Sequence, residues 1–259
     1  MEKFEIKDLQ NKHKGEMAFI VCAGPSLHYE NVNLLKNYVT IAVNSSVLKV
    51  PFCDYFVSDD EGIARWNYYM EDLKYMNCLC LLYEDKLKRL TSHLSKERVV
   101  FFKHKIWYDI YKRKKYPEGL ILTNEEPIIG ARTSTGTAIH IAYIMGCNPI
   151  VLLANDCCYD GTKKYYWQFD TEKKVIAMKG NDREFSFPNR VYEKHNMDSH
   201  CIDFIEYFNA LEDSIEKQKR NGLDIELVNI QKGVFKLKYN NFDSLEKVIE
   251  KYGGKKKCR

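Results

Sequence analysis

The feature that most constrains this chain is a series of short apolar runs, each ending in a small polar cluster. Met17-Ala18-Phe19-Ile20-Val21-Cys22 leads into Ala23-Gly24-Pro25-Ser26-Leu27, and residues 39–43 end at Asn44-Ser45-Ser46. Residues 53–57 end at Ser58-Asp59-Asp60-Glu61, and residues 150–153 lead into Ala154-Asn155-Asp156. Residues 78–83, 98–102 and 225–230 have the same character. A run that is apolar at nearly every position suits a strand buried on both faces, as in a parallel sheet covered by helices. Between the runs lie helical stretches at residues 31–37, 84–96, 199–219 and 244–252. Another follows Arg132-Thr133-Ser134-Thr135-Gly136, where Ala138, Ile141, Ala142, Ile144 and Met145 keep helical spacing until Gly146 stops it. Ile202, Ile205, Phe208, Leu211 and Ile215 mark the apolar face of the 199–219 helix. Strands alternating with helices predict an α/β fold: a Rossmann-like, doubly wound, mostly parallel sheet. The 259 residues are enough for one domain spanning 1–259. Periodicity fails at about 103–127 and 159–194, which read as lid-like insertions forming a small sub-domain.

Composition removes several classes. The net charge of +4 is far below the footprint of a nucleic-acid binder, so no nucleic acid is expected as a partner. Nine cysteines in a chain without a C-x-x-C pair, several of them inside apolar runs, fit reduced thiols rather than zinc or disulfides. No apolar run reaches membrane-spanning length, and the charged N-terminus does not read as a signal peptide. A cytoplasmic location is therefore expected. The basic tail Lys255-Lys256-Lys257-Cys258-Arg259 would either remain solvated or touch anionic lipid peripherally at the inner membrane face.

Ligands of open α/β sheets bind outside the carboxyl ends of the strands, where these polar clusters fall. Gly24-Pro25-Ser26 offers close backbone approach before a helix start, where free N–H groups favour anions; a plain turn is the alternative. Arg132-Thr133-Ser134-Thr135-Gly136 opens a helix with three hydroxyls where one would cap it, and the surplus favours phosphate or sugar contacts. Arg132 could neutralise a phosphate or form a surface ion pair. Asp59-Asp60 could hold a divalent cation such as Mg2+, or merely solvate a loop. Asn155-Asp156 could grip a ribose or an acceptor hydroxyl, and Asp156 could equally cap the turn. His195, with His200 close by, sits in a polar stretch and has the ordinary pKa for proton transfer. Neither a dinucleotide-binding glycine pattern nor a P-loop is present.

The motif order resembles one superfamily, which contains bacterial sialyltransferases, motility-associated flagellin glycosyltransferases and archaeal 6-hydroxymethylpterin diphosphokinase-like proteins. The resemblance lies in Ile20-Val21-Cys22-Ala23-Gly24-Pro25-Ser26-Leu27, in Ala42-Val43-Asn44, and in Arg132 through Gly136 with Ala142-Tyr143-Ile144-Met145-Gly146 and residues 150–156. It continues in Tyr165-Tyr166, Phe169-Asp170-Thr171, His195 and Asp203-Phe204-Ile205-Glu206. It implies a glycosyltransferase that moves a sialic-acid-like sugar from a CMP-activated donor to a glycan, glycolipid or protein acceptor, with no cofactor required. Ala23, Gly24, Pro25, Ser26, Asn44, Ser134, Thr135, Gly136, Asn155 and Asp156 would line the nucleotide and its phosphate. Tyr165 or Tyr166 would stabilise the departing phosphate with Arg132 nearby, and His195 would be the general base. The chain departs from the family pattern at Ala23, at Ala154 where a glycine is usual, and at His195, which aligns only across a two-residue gap and leaves His200 as a rival. The diphosphokinase branch implies instead Mg2+/ATP-dependent diphosphate transfer with Asp59, Asp60 and Asp156 on the metal. A non-catalytic nucleotide- or glycan-binding protein is the third reading. A homo-oligomer is compatible with each.

Overall fold

A computed structural model describes residues 4–104, 122–129, 133–170, 175, 197 and 199–253. Its centre is β1 (Ala18–Val21), buried at every position. Along it the pleat divides the side chains: Ala18 and Ile20 enter one core and Phe19 and Val21 the other. The same two-sided burial holds for β2 (Val39–Val43), β3 (Tyr55–Ser58), β6 (Ile150–Leu153) and β7 (Leu227–Ile230). With β4 (Leu79–Tyr83), β5 (Val99–Phe102) and the two-residue β8 (Asn241–Phe242), they form one parallel eight-stranded sheet ordered β5-β4-β3-β2-β1-β6-β7-β8. This is the α/β, Rossmann-like, mostly parallel arrangement expected from the apolar runs. The sequence pattern did not anticipate β8, which is too short to carry a period.

The order of strands decides where a ligand can sit. The chain walks outward from β1 to β5, then returns across the sheet to lay β6 against the other side of β1, with Ala18 facing both Val39 and Ile150. The turns after β1 and β6 therefore diverge at a topological switch point, which opens a crevice between them.

The helix α1 (Ser134–Ile144) makes the return crossing and is buried along nearly its whole length. Gly146 ends it at φ +75°, a conformation glycine adopts without Cβ strain. Together with α2 (Ser199–Lys219) and the 3-10 turn Ile6–Leu9, α1 fills one core. On α2 the buried residues are Cys201, Tyr207, Phe208, Leu211, Glu212, Ser214 and Ile215, whereas Ile202 and Ile205 are only half-buried. The opposite face is covered by 3-10 turns, among them Pro25–Tyr29, Val32–Asn37 and Asn44–Leu48, and by α3 (Leu245–Tyr252).

Two expected helices are thus shorter or tighter than their pattern suggests. Residues 31–37 wind as a 3-10 turn. Residues 84–96 give one helical turn, Glu84–Leu87, before Lys88–Leu90 tightens and the Thr91 hydroxyl donates to the Lys88 carbonyl. Such a side-chain bond offers the backbone an alternative to continuing the helix. The described ends of the 103–127 stretch are tied together. Ile128 N–H donates to the Lys103 carbonyl at 2.7 Å, and His140 of α1 accepts from Ile129 N–H at 2.7 Å. Most of that stretch, and of 159–194, lies outside the described residues.

Candidate functional site

The turn after β1 and the turn after β6 are joined at the switch point by one buried carboxylate. Asp156 is 4% exposed, and it accepts from Ser26 N–H at 2.8 Å and from the Ser26 hydroxyl at 2.7 Å. Burial pushes its pKa above the usual carboxylate range, and the two Ser26 bonds oppose that shift. Gly24 N–H donates to the Ala154 carbonyl at 3.1 Å. A Cβ at Gly24 would stand 2.5 Å from both the Ala154 oxygen and Asp156 Oδ2, so the approach of the two turns requires glycine. From the far side, the loop after β7 closes on the same residue: Val234 and Phe235 N–H donate to the Asp156 carbonyl at 3.0 and 3.1 Å. Gly233 there is as tightly packed, since its Cβ would lie 2.5 Å from that carbonyl.

Three non-glycine residues at these strand ends hold left-handed backbone: Asn44 (φ 52°), Ala154 (φ 57°) and Cys157 (φ 51°). Asparagine tolerates this region, but alanine and cysteine are strained in it. Strain of this kind persists where the surroundings over-determine the chain, and such places cluster at binding sites. The Ser46 hydroxyl pins the end of β2 to β1 by donating to the Val21 carbonyl at 2.6 Å. On either side of the Gly24 turn, Asn44 Oδ1 and Asn155 Nδ2 are buried and have no hydrogen-bond partner among the described residues. They follow β2 and β6, so two strand spacings, or about 10 Å, separate their backbones.

The first turn of α1 points into the same rim. Each hydroxyl that looked surplus in the sequence has a protein partner. Thr133 caps the helix by accepting from Thr135 N–H at 3.2 Å. The Ser134 hydroxyl donates to Asp59 Oδ1, and Thr137 donates to Asp59 Oδ2 at 3.0 Å. Thr135 pairs with the Cys22 thiol at 3.3 Å, and burial pushes that thiol up to about 12. The number of hydroxyls therefore does not by itself argue for a ligand. Gly136 is explained by packing, since a Cβ there would meet the Tyr207 hydroxyl of α2 at 2.6 Å.

Asp59 thus has a hydroxyl donor on each oxygen, and Asp60 is exposed and caps the following turn by accepting from Gly62 N–H at 2.8 Å. Among the described residues no three His, Cys, Asp or Glu side chains converge as a metal site would need.

Residues 159–170 fold over the Gly24 turn. Tyr166 N–H donates to the Ala23 carbonyl at 3.2 Å, and its buried hydroxyl donates to the Ser45 carbonyl at 2.9 Å, bridging the ends of β1 and β2. Tyr165 lies at the rim, stacked on Trp167 with ring centres 5.5 Å apart. His28 stacks on Phe169 at 4.9 Å. The Tyr166 hydroxyl is thus engaged within the protein. Arg132 and His195 lie outside the described residues, as does the side chain of His200. The structure also adds members that the sequence reading missed. Gly233 carries no local signal. His104 follows β5 as Asp59 follows β3, so the rule of polar residues at strand ends would have found it.

The family model described as 6-hydroxymethylpterin diphosphokinase MptE-like matches residues 1–162, from the N-terminus through β6 and the switch point. Among solved structures, a MAf glycosyltransferase from Magnetospirillum magneticum AMB-1 superposes with a TM-score of 0.52 at 13% identity. The superposition covers 98% of this chain and 42% of that one, so the chain spans less than half the length of that protein. At this identity the likeness is one of fold. No curated protein sequence matches the chain. The family match covers well over half of the sequence and includes both turns of the switch point: the chain belongs to the 6-hydroxymethylpterin diphosphokinase MptE-like family.

Proposed function

We propose that the chain is a transferase that binds a nucleotide across the switch point, and that it moves a sialic-acid-like sugar from a CMP-activated donor to a glycan or glycolipid acceptor. One observation carries the reading. The Gly24–Ser26 turn, clamped by Asp156, is flanked by a buried acceptor (Asn44 Oδ1) and a buried donor (Asn155 Nδ2), neither of which has a hydrogen-bond partner among the described residues. Buried polar atoms left in this state cost free energy that a ligand can recover. An aminopyrimidine edge and a ribose supply a donor and an acceptor in return. The fold shared with a glycosyltransferase supports the choice of glycosyl transfer. In this reading Tyr165 and the start of α1 face the departing phosphate, where fixed donors stabilise developing charge.

Calorimetry with CMP, followed by CMP release from CMP-sialic acid, tests it. Micromolar binding that is lost on Asn44→Ala and Asn155→Ala is the expected result, and an absence of CMP binding sinks the reading. The family's description favours a second reading, diphosphate transfer from ATP. ATP binding that disappears with a chelator, without CMP binding, would select it.

A further inference from the structure

Beside the switch point, at the carboxyl ends of β3, β4 and β5, lies a group of polar side chains that the nucleotide turn does not use. Its centre is His104, whose side chain is 9% exposed and whose Nε2 lies 3.6 Å from Asp59 Oδ2. That is an ionic approach but too long for a hydrogen bond. Both ring nitrogens of His104 are buried, and among the described residues neither has a hydrogen-bond partner. An imidazole with two orphaned nitrogens is costly to bury, which marks a place where another molecule completes the set. The ring is not loose. Tyr83 meets it edge-on at 4.4 Å and Phe102 at 5.1 Å, so apolar rings fix its orientation and leave its polar atoms unclaimed. Asp59 is fixed in turn by Ser134 and Thr137. Ser134 and Thr135 are adjacent in the first turn of α1; one reaches Asp59 after β3, the other Cys22 after β1. The His104–Asp59 pair and the nucleotide turn therefore share one rim, with β1 and β3 two strand spacings, or about 10 Å, apart.

We propose that His104 is a catalytic base of this site, taking the proton from the incoming hydroxyl group of the acceptor while Asp59 stands beside the imidazolium that forms. The inference rests on the transferase reading and deepens it. In the step, the acceptor O–H bond breaks and its proton passes to a His104 ring nitrogen. The oxygen's electron pair forms the new bond to the anomeric carbon of the donor sugar. The bond from that carbon to the nucleotide phosphate breaks, and its electron pair leaves on the phosphate oxygen. His104 is faced by Asp59 from β3, by Tyr83 from β4, by Asp85 and Lys86 from the turn after β4, by the Ile128 carbonyl and by His140 of α1. The Ile128 carbonyl faces the ring without making a hydrogen bond of good geometry. Burial lowers the His104 pKa and Asp59 opposes it, leaving the ring neutral at rest, as a base must be.

The test is CMP release from CMP-sialic acid, with water as the acceptor, followed across pH for wild type, His104→Gln, Asp59→Asn and His195→Ala. His104→Gln is expected to lower kcat by about 100-fold or more, to remove the acid limb of the kcat profile, and to leave CMP affinity by calorimetry within about twofold. Asp59→Asn is expected to move the acid limb to lower pH, because the imidazolium loses its carboxylate; it carries the test if His104→Gln does not fold. A folded His104→Gln that keeps both kcat and the limb overturns the proposal. So does loss of the limb in His195→Ala alone. If wild type binds neither CMP nor ATP, the transferase reading fails and the proposal falls with it.

Discussion

Replacing Gly24 by alanine tests the switch-point clamp, because backbone considerations alone give the opposite sign. Gly24 has φ −62° and ψ 163°, a conformation open to any L-residue. A glycine there should gain about 0.4–1 kcal/mol on becoming alanine, through the reduced freedom of the unfolded chain. The surroundings reverse this. The new Cβ would lie 2.5 Å from the Ala154 oxygen and from Asp156 Oδ2, so about 0.9 Å of separation is needed to reach ordinary contact. Neither neighbour is a flexible chain end: one is backbone at the end of a central strand, the other a buried carboxylate. Opening the turns by that amount stretches the 2.8 and 2.7 Å bonds from Ser26 to Asp156, and the 3.1 Å bond from Gly24 to Ala154, beyond hydrogen-bonding range. A bond to a charged group contributes about 1.5–3 kcal/mol and a neutral one about 1. With partial relaxation, Gly24→Ala should cost about 2–4 kcal/mol. Urea unfolding with a fixed m-value measures the loss, and on the proposed transferase reading a CMP thermal shift reports the site. Asp156→Ala removes one of the two crowding groups, so the double variant should cost at least about 1 kcal/mol less than the sum of the singles. A Gly24→Ala protein as stable as wild type would refute the reasoning.

Three further outcomes follow from the same geometry. Ala154→Gly should stabilise the fold by about 0.5–1 kcal/mol in urea melts, since it removes a left-handed alanine at φ 57° at some cost in unfolded-state entropy; a clear loss would show that Ala154 is not strained. Tyr166→Phe should lose about 1 kcal/mol, because the buried Ser45 carbonyl is left without its donor, and unchanged stability would mean that the hydroxyl is not structural. His140 is fully buried with its pKa pushed down to about 4 by desolvation. An unfolded histidine titrates near 6.5, so between these values the unfolded state binds the extra proton; the contribution is whole above about pH 6.5 and fades as pH falls toward 4. Over that window wild type should lose about 3 kcal/mol more than His140→Asn, and coincident pH dependences would rule this out.

Much of the fold is legible in the chain because burial on both faces of a strand leaves a local mark. Phe19-Ile20-Val21, Val39 to Val43 and Ile150 to Leu153 are apolar at almost every position, and the strands lie where those runs lie. Gly146 and Ser244 mark a helix end and a helix start by chemistry that acts within a turn. The helix types were less legible. The difference between residues 31–37 as an α-helix and as a 3-10 turn is small in propensity and is decided by how closely the segment must hug the sheet.

The opening feature, apolar runs with polar ends, determined the sheet and which residues reach its rim, because strand burial and strand termination are local properties. The partners across that rim were not local. Ser26 and Asp156 are 130 residues apart, and Asp59 and Ser134 are 75 apart. No period or spacing connects them. Only the return of the chain to the far side of β1 brings them within hydrogen-bonding distance. That same crossing gave the apparently surplus hydroxyls of α1 their partners, turned Tyr166 inward, and left His104 beside Asp59 with both of its nitrogens unclaimed among the described residues. Side chains at the strand ends were a matter of sequence; which of them still lack a partner is a matter of tertiary packing, since satisfaction of a polar group depends on every neighbour that folding delivers to it.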